Sequence, residues 1–153
     1  MPYSVKRFRF RLQTLLNIEQ NKEKQAQVTF KNAIDELRRQ EALLAQLQEE
    51  YQLSQEAMLK DIKRGTSPQQ LSAYDAYFNN LKSQMEEQQG RITEAEKAVE
   101  TARQELNERT KQRKILGKLR EKAKENYDEE YRKVESTLMD EVGNSMTIRK
   151  RNE

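Results

Sequence analysis

Arg64-Gly65-Thr66-Ser67-Pro68 divides this chain into two stretches that otherwise lack helix breakers. Gly65 can take the left-handed conformation that ends a helix. Ser67 can cap the next helix, Pro68 suits its first turn, and Gln70 stands where a capping box needs a Glu or Gln. Upstream, Tyr3 to Arg64 holds neither Gly nor Pro, and no proline follows Pro68. The next plausible stop is Gly143-Asn144, followed by a polar, basic tail. The pattern predicts one all-α domain over residues 1–153. Its first helix runs over about 5–63, a tight turn over 64–67, a second helix over about 68–142, and a flexible basic tail over 143–153.

Both stretches carry a heptad. In the first, the a positions are Leu16, Glu23, Phe30, Leu37, Leu44, Tyr51 and Met58. Its d positions are Leu12, Glu19, Ala26, Ala33, Gln40, Leu47 and Ser54. In the second, the a positions Leu71, Phe78, Met85, Ile92, Val99 and Leu106 are all apolar. Its d positions are Tyr74, Leu81, Gln88, Ala95 and Ala102. Apolar a and d positions sustained over this many heptads specify a coiled coil, and a short turn makes the two strands antiparallel. The predicted fold is a long two-helix antiparallel coiled-coil hairpin.

Volume sets the register. If facing residue numbers sum to about 132, large side chains meet small ones: Phe30 with Ala102, Leu37 with Ala95, Ser54 with Phe78. The same sum centres the turn at Thr66. It also sets Glu19 opposite Arg113 and Glu23 opposite Arg109, so the charged core positions either pair across the seam or reach water at its edge.

Composition agrees. Of 153 residues, 36% are charged and 34% hydrophobic, with 4 Gly and 2 Pro. Mean hydropathy is −1.17. Too few apolar side chains exist for a compact globule, and too few turn residues for an all-β fold. With no Cys and no His, the chain has no thiol nucleophile, disulfide or imidazole base. The carboxylates stand among Lys and Arg on open helix faces, where nothing builds a pocket to shift their pKa values. No catalytic residue, metal site or cofactor is assigned. No apolar run is long enough to span a bilayer, which reads as a soluble, cytoplasmic, non-enzymatic protein.

Charge is uneven although the net is only +3. Residues 1–15 hold Lys6, Arg7, Arg9 and Arg11 and no acid; residues 109–124 hold Arg113, Lys118, Arg120 and five further basic side chains against Glu121 alone. The derived register sets these segments side by side. No base-stacking platform or groove-reading motif accompanies them, so nucleic acid is not the expected partner; an acidic protein surface is. Beyond the reach of the first helix, Tyr127, Tyr131, Val134 and Leu138 continue an apolar stripe. It either meets a partner groove, packs on folded-back N-terminal residues, or frays.

Phe8-x-Phe10-x-Leu12-x-x-Leu15-Leu16 opens an otherwise polar helix. Leu119-Arg120-Glu121-Lys122, Tyr127-Asp128-Glu129-Glu130 and Asp140-Glu141 follow near the other end. In their order and spacing these segments resemble the FliJ family of flagellar type III export proteins, over nearly the whole length. The resemblance implies a cytoplasmic coiled-coil stalk, similar to the gamma subunit of rotary ATP synthases and peripheral to the membrane export apparatus. Its implied partners are the hexameric export ATPase FliI, whose assembly it promotes, the export gate protein FlhA, and export chaperones. The family's gate-docking region lies early in the second helix, where Tyr77 and Leu81 match an aromatic followed four residues later by an aliphatic. Gln84 and Gln88 are the positions that follow. For the ATPase contact the candidates are Arg7, Arg9, Arg11, Arg113, Lys118, Arg120, Tyr127, Tyr131, Val134 and Leu138. The alternatives are the stalk of a related virulence secretion system and a structural spacer without an ATPase partner.

Overall fold

The computed structural model describes residues 6–152. Two helices make up the fold, α1 (Gln13–Arg64, 52 residues) and α2 (Pro68–Asn152, 85 residues). They pack against each other as an antiparallel hairpin, and the described residues contain no strand.

The turn forms as its residues dictate. Gly65 has φ +92°, the one positive φ among the described residues, and its N–H donates to the Ile62 carbonyl at 3.2 Å. The Gln70 N–H donates to Ser67 Oγ at 3.2 Å, and the Ser67 N–H donates back to Gln70 Oε1 at 3.5 Å. This reciprocal pair satisfies two donors that the helix start would leave orphaned.

By its contacts the chain separates into two compact units, one of residues 1–23 with 108–153, the other Lys24–Asn107. In the Lys24–Asn107 unit the core is Ala26, Phe78, Leu81, Ile92, Ala95 and Ala102. Tyr51 lays its ring 5.1 Å from that of Phe78. A polar layer interrupts this seam. Gln88, 4% exposed, donates to the Gln40 carbonyl at 2.9 Å and to its Oε1 at 2.7 Å. Gln40 in turn donates to Glu36 at 2.7 Å. Beside the turn, the Tyr74 and Tyr77 hydroxyls each donate at 2.5 Å, to Asp61 and Glu50 respectively.

In the unit formed by the chain ends, Leu16 and Leu116 are buried, and charged groups share the seam with them. Arg113 Nε donates to Glu23 at 2.9 Å, and Arg109 lies 3.8 Å from Glu19. The register predicts the opposite exchange, Glu19 with Arg113 and Glu23 with Arg109. The reason is the lean of helical side chains toward their own N-terminus. In antiparallel strands Glu23 and Arg113 lean into the gap between their layers and meet. Glu19 and Arg109 lean apart, which leaves the longer contact.

Both outer helix boundaries also differ from expectation. α1 starts at Gln13, not near residue 5. Arg7-Phe8-Arg9-Phe10-Arg11-Leu12 alternates basic and apolar with period two, which suits an extended segment rather than a helix. The structure follows that alternation: Phe8, Phe10 and Leu12 are half-buried, while Arg7, Arg9 and Arg11 are exposed. α2 continues through Gly143-Asn144 to Asn152 in place of a flexible tail. One interior Gly costs a helix only about 1 kcal/mol, and no proline or capping box follows it. The last turn carries Arg149, Lys150 and Arg151, which complement the helix dipole.

Candidate functional site

The basic candidates gather around an aromatic cluster in the unit formed by the chain ends. Phe8 lies with its ring 5.5 Å from that of Tyr127, and Tyr127 lies 6.5 Å from Tyr131. The Arg120 guanidinium sits 5.5 Å from the centre of the Phe8 ring, and the Lys124 ammonium 5.1 Å from it. Lys124 is also 4.9 Å from the Tyr127 ring centre. Such cations are held by the negative ring faces at about 0.5–1 kcal/mol each where exposed. Arg120 further donates to Gln13 at 2.9 Å, so two contacts tie it to the start of the chain.

An open groove runs beside this cluster, lined by Lys6, Arg7, Phe8 and Arg9 on one side and by Ala123, Asn126, Tyr127, Glu130 and Val134 on the other. The stripe from Tyr127 to Leu138 therefore splits. Tyr127 and Val134 line the groove and are half-buried. Tyr131 is 47% and Leu138 41% exposed, and Met139, Val142 and Met146 prolong this open face. Sequence reading missed Met146 because it ended the helix at about 142, and it did not carry the stripe past Leu138 to Met139 and Val142. Phe8 was missed as the anchor for want of weight on the period-two alternation.

The basic candidates differ in availability. Arg7, Arg9, Arg11 and Lys118 are exposed. Arg113 is half-buried and committed to Glu23, and Arg120 is exposed but tethered as above. The surface presents several cations with a small aromatic centre, which suits an acidic protein partner.

The second candidate set lies in the Lys24–Asn107 unit and divides by burial. Tyr77 is 38% exposed, its ring 6.1 Å from Phe78. Its hydrogen bond to Glu50 holds its hydroxyl pKa above the ordinary tyrosine value. Gln84 is exposed beside Asn80. Leu81, 2% exposed, and Gln88 belong to the core, so they support this surface from beneath. No cluster of three or more potential metal ligands occurs among the described residues, and among them no helix is long and apolar enough to cross a membrane.

By class the described residues form an all-α, two-helix antiparallel coiled-coil hairpin with a basic, aromatic-centred surface in the unit of the chain ends. The family model for the flagellar FliJ protein matches residues 8–152. The chain therefore belongs to the FliJ family and is a component of flagellar protein export. No curated protein and no solved structure matches it.

Proposed function

We propose that this chain is a non-enzymatic stalk that binds the hexameric export ATPase, promotes its assembly, and couples it to the export gate and export chaperones at the cytoplasmic face of the membrane. Family membership supplies the setting. The observation that carries the reading is the exposed basic set Arg7, Arg9, Arg11 and Lys118 around the Phe8–Tyr127 cluster, beside uncovered Tyr131 and Leu138. Cations supply long-range attraction, and apolar side chains supply the contact that water must leave. Tyr77 and Gln84 are the exposed part of the proposed gate surface, with Leu81 and Gln88 setting the backbone that presents them.

Titration of the export ATPase with the full chain tests this. Replacing Arg7, Arg9, Arg11 and Lys118 with Gln should slow association and flatten its salt dependence, since surface fields are screened beyond about 8–10 Å. Tyr131→Ala with Leu138→Ala should speed dissociation and leave thermal stability nearly unchanged. Wild-type stimulation of ring assembly by both variants would show that these residues are not the ring contact, and a wild type that stimulates nothing would point to a plain spacer.

A further inference from the structure

In the unit formed by the chain ends, one flank of the hairpin keeps its apolar side chains open to solvent. Leu15 and Ile18 of α1 are each 44% exposed, and Ile115 and Leu119 of α2 are 54% and 45% exposed. Each stands one residue before a seam position: Leu16, Glu19, Leu116 and Arg120 respectively. One residue is a rotation of about 100°, so all four leave the seam in the same rotational sense. Antiparallel helices are related by a two-fold axis perpendicular to their length, which carries each flank onto the same flank of the mate. The four side chains therefore share one face. Tyr77 and Glu50, which likewise each precede an a position, hydrogen-bond to one another on the same principle in the other unit. The opposite flank is polar: Asn17, Gln20, Gly117 and Glu121 follow the same four seam positions.

The register sets Leu15 level with Leu119 and Ile18 level with Ile115. Leu15 and Leu119 floor the groove between the helices, and Ile18 and Ile115 form its banks. Single exposed apolar residues are ordinary on a surface, but a row across both helices is a contact surface. A groove of this form seats a third helix.

Cations border it. Arg11 precedes Leu15 by four residues and Lys22 follows it by seven; Lys111, Lys118 and Lys122 stand four before, three after and seven after Ile115. All five are exposed, and Lys22 lies 3.6 Å from Glu19. Glu108 is the one acid outside the seam at a matching spacing, and it accepts from Gln112 at 3.1 Å. Two copies meeting through this face would bring like charges together. A helix with acidic borders would find opposite charge on both banks.

We propose that this face binds one amphipathic helix of another protein, its apolar stripe bordered by Asp or Glu, laid in the groove between α1 and α2. The proposal does not rest on the stalk reading, since none of the four apolar residues belongs to the proposed ring contact.

A fluorescent synthetic peptide of three heptads, with Leu at a and d and Glu at e and g, serves as the probe against the full chain. A twin with Lys in place of Glu is the control. Anisotropy should show saturable binding of the Glu peptide and none of the Lys peptide. Leu15→Gln with Ile115→Gln should weaken binding by roughly tenfold or more, with helix content by circular dichroism unchanged because both side chains are exposed. Lys111→Gln with Lys122→Gln should weaken it at low salt and flatten its salt dependence. The chain holds no cysteine, so a single environment-sensitive dye can be placed at will. At Lys22→Cys, on this flank, it should respond to the peptide; at Gln20→Cys, on the other, it should not. No binding, undiminished binding by the Leu15 and Ile115 variant, equal binding of both peptides, or a response at Gln20→Cys alone overturns the proposal. So does a wild type that dimerises, or that sediments with phosphatidylglycerol vesicles, only while Leu15 and Ile115 are in place, because the face would then belong to a second copy or to a lipid surface.

Discussion

Glu19 and Glu23 occupy successive core positions of one helix, yet their surroundings differ in a way that decides what each does. Glu23 meets Arg113 at hydrogen-bond distance. Glu19 is 9% exposed, stands 3.6 Å from Lys22 and 3.8 Å from Arg109, and its Oε2 has no hydrogen bond. A partly buried carboxylate without its hydrogen bonds is costly, and an apolar replacement is often neutral or better. Glu19→Leu is therefore expected to leave the denaturation midpoint unchanged or raise it, whereas Glu23→Leu should lower it by stranding Arg113. In double-mutant cycles the Glu23–Arg113 coupling should reach about 0.5–1 kcal/mol and the Glu19–Arg109 coupling only about 0.2 kcal/mol. Equal couplings would show that the diagonal lean does not govern these pairs.

At the scale of elements, glycines show how context changes meaning. Gly65 ends α1 because its left-handed φ is followed by a capping box and a proline. Gly90 and Gly143 lie inside α2, and an added methyl would meet nothing within 4 Å at either. Gly90→Ala should stabilise the chain by about 0.5–1 kcal/mol through helix propensity. Gly65→Ala should destabilise it by about 1–2 kcal/mol, the cost of a side chain in left-handed backbone. Paired urea titrations of the two variants check both signs. The same comparison shows what was legible beforehand. The turn, both heptads and the antiparallel pairing were readable because each rested on several concordant signals. Gly143-Asn144 looked like a stop on one signal alone, and helix propensity overrode it. The start of α1 was misplaced because Phe8-x-Phe10-x-Leu12 fits a helical face poorly and an alternating extended face well. Of the candidate docking residues, sequence position found the basic cluster. The heptad already set Leu81 and Gln88 at d positions, apart from Tyr77 and Gln84, and the closed seam buries the first two while Tyr77 and Gln84 stay exposed.

For the molecule as a whole, a net charge of +3 conceals two units with different glue. The unit of chain ends relies on Glu23–Arg113 and on cations over Phe8 and Tyr127. The Lys24–Asn107 unit relies on its apolar seam and the Gln40–Gln88 layer, with the Tyr74–Asp61 and Tyr77–Glu50 bonds beside the turn. Salt screens the first kind of interaction and barely touches the second. At neutral pH, added salt should therefore reduce amide-exchange protection in residues 6–23 and 108–130 and leave residues 24–107 nearly unchanged. Alkali should act on the other unit. Hydrogen bonds to Asp61 and Glu50 are the main cause raising the Tyr74 and Tyr77 pKa values above the usual tyrosine value of 10.0. A hydroxyl whose folded pKa is raised holds its proton more tightly in the folded state. Its stabilising contribution is complete below the unfolded value and is lost as pH climbs through the folded one. Urea midpoints should thus fall above about pH 10, partly through lysine deprotonation in either state. The Tyr74→Phe, Tyr77→Phe double variant isolates the tyrosine share: it should start less stable at neutral pH and lose less on alkalinisation. Parallel pH profiles for wild type and variant would mean that the phenol–carboxylate bonds do not hold the turn together in solution.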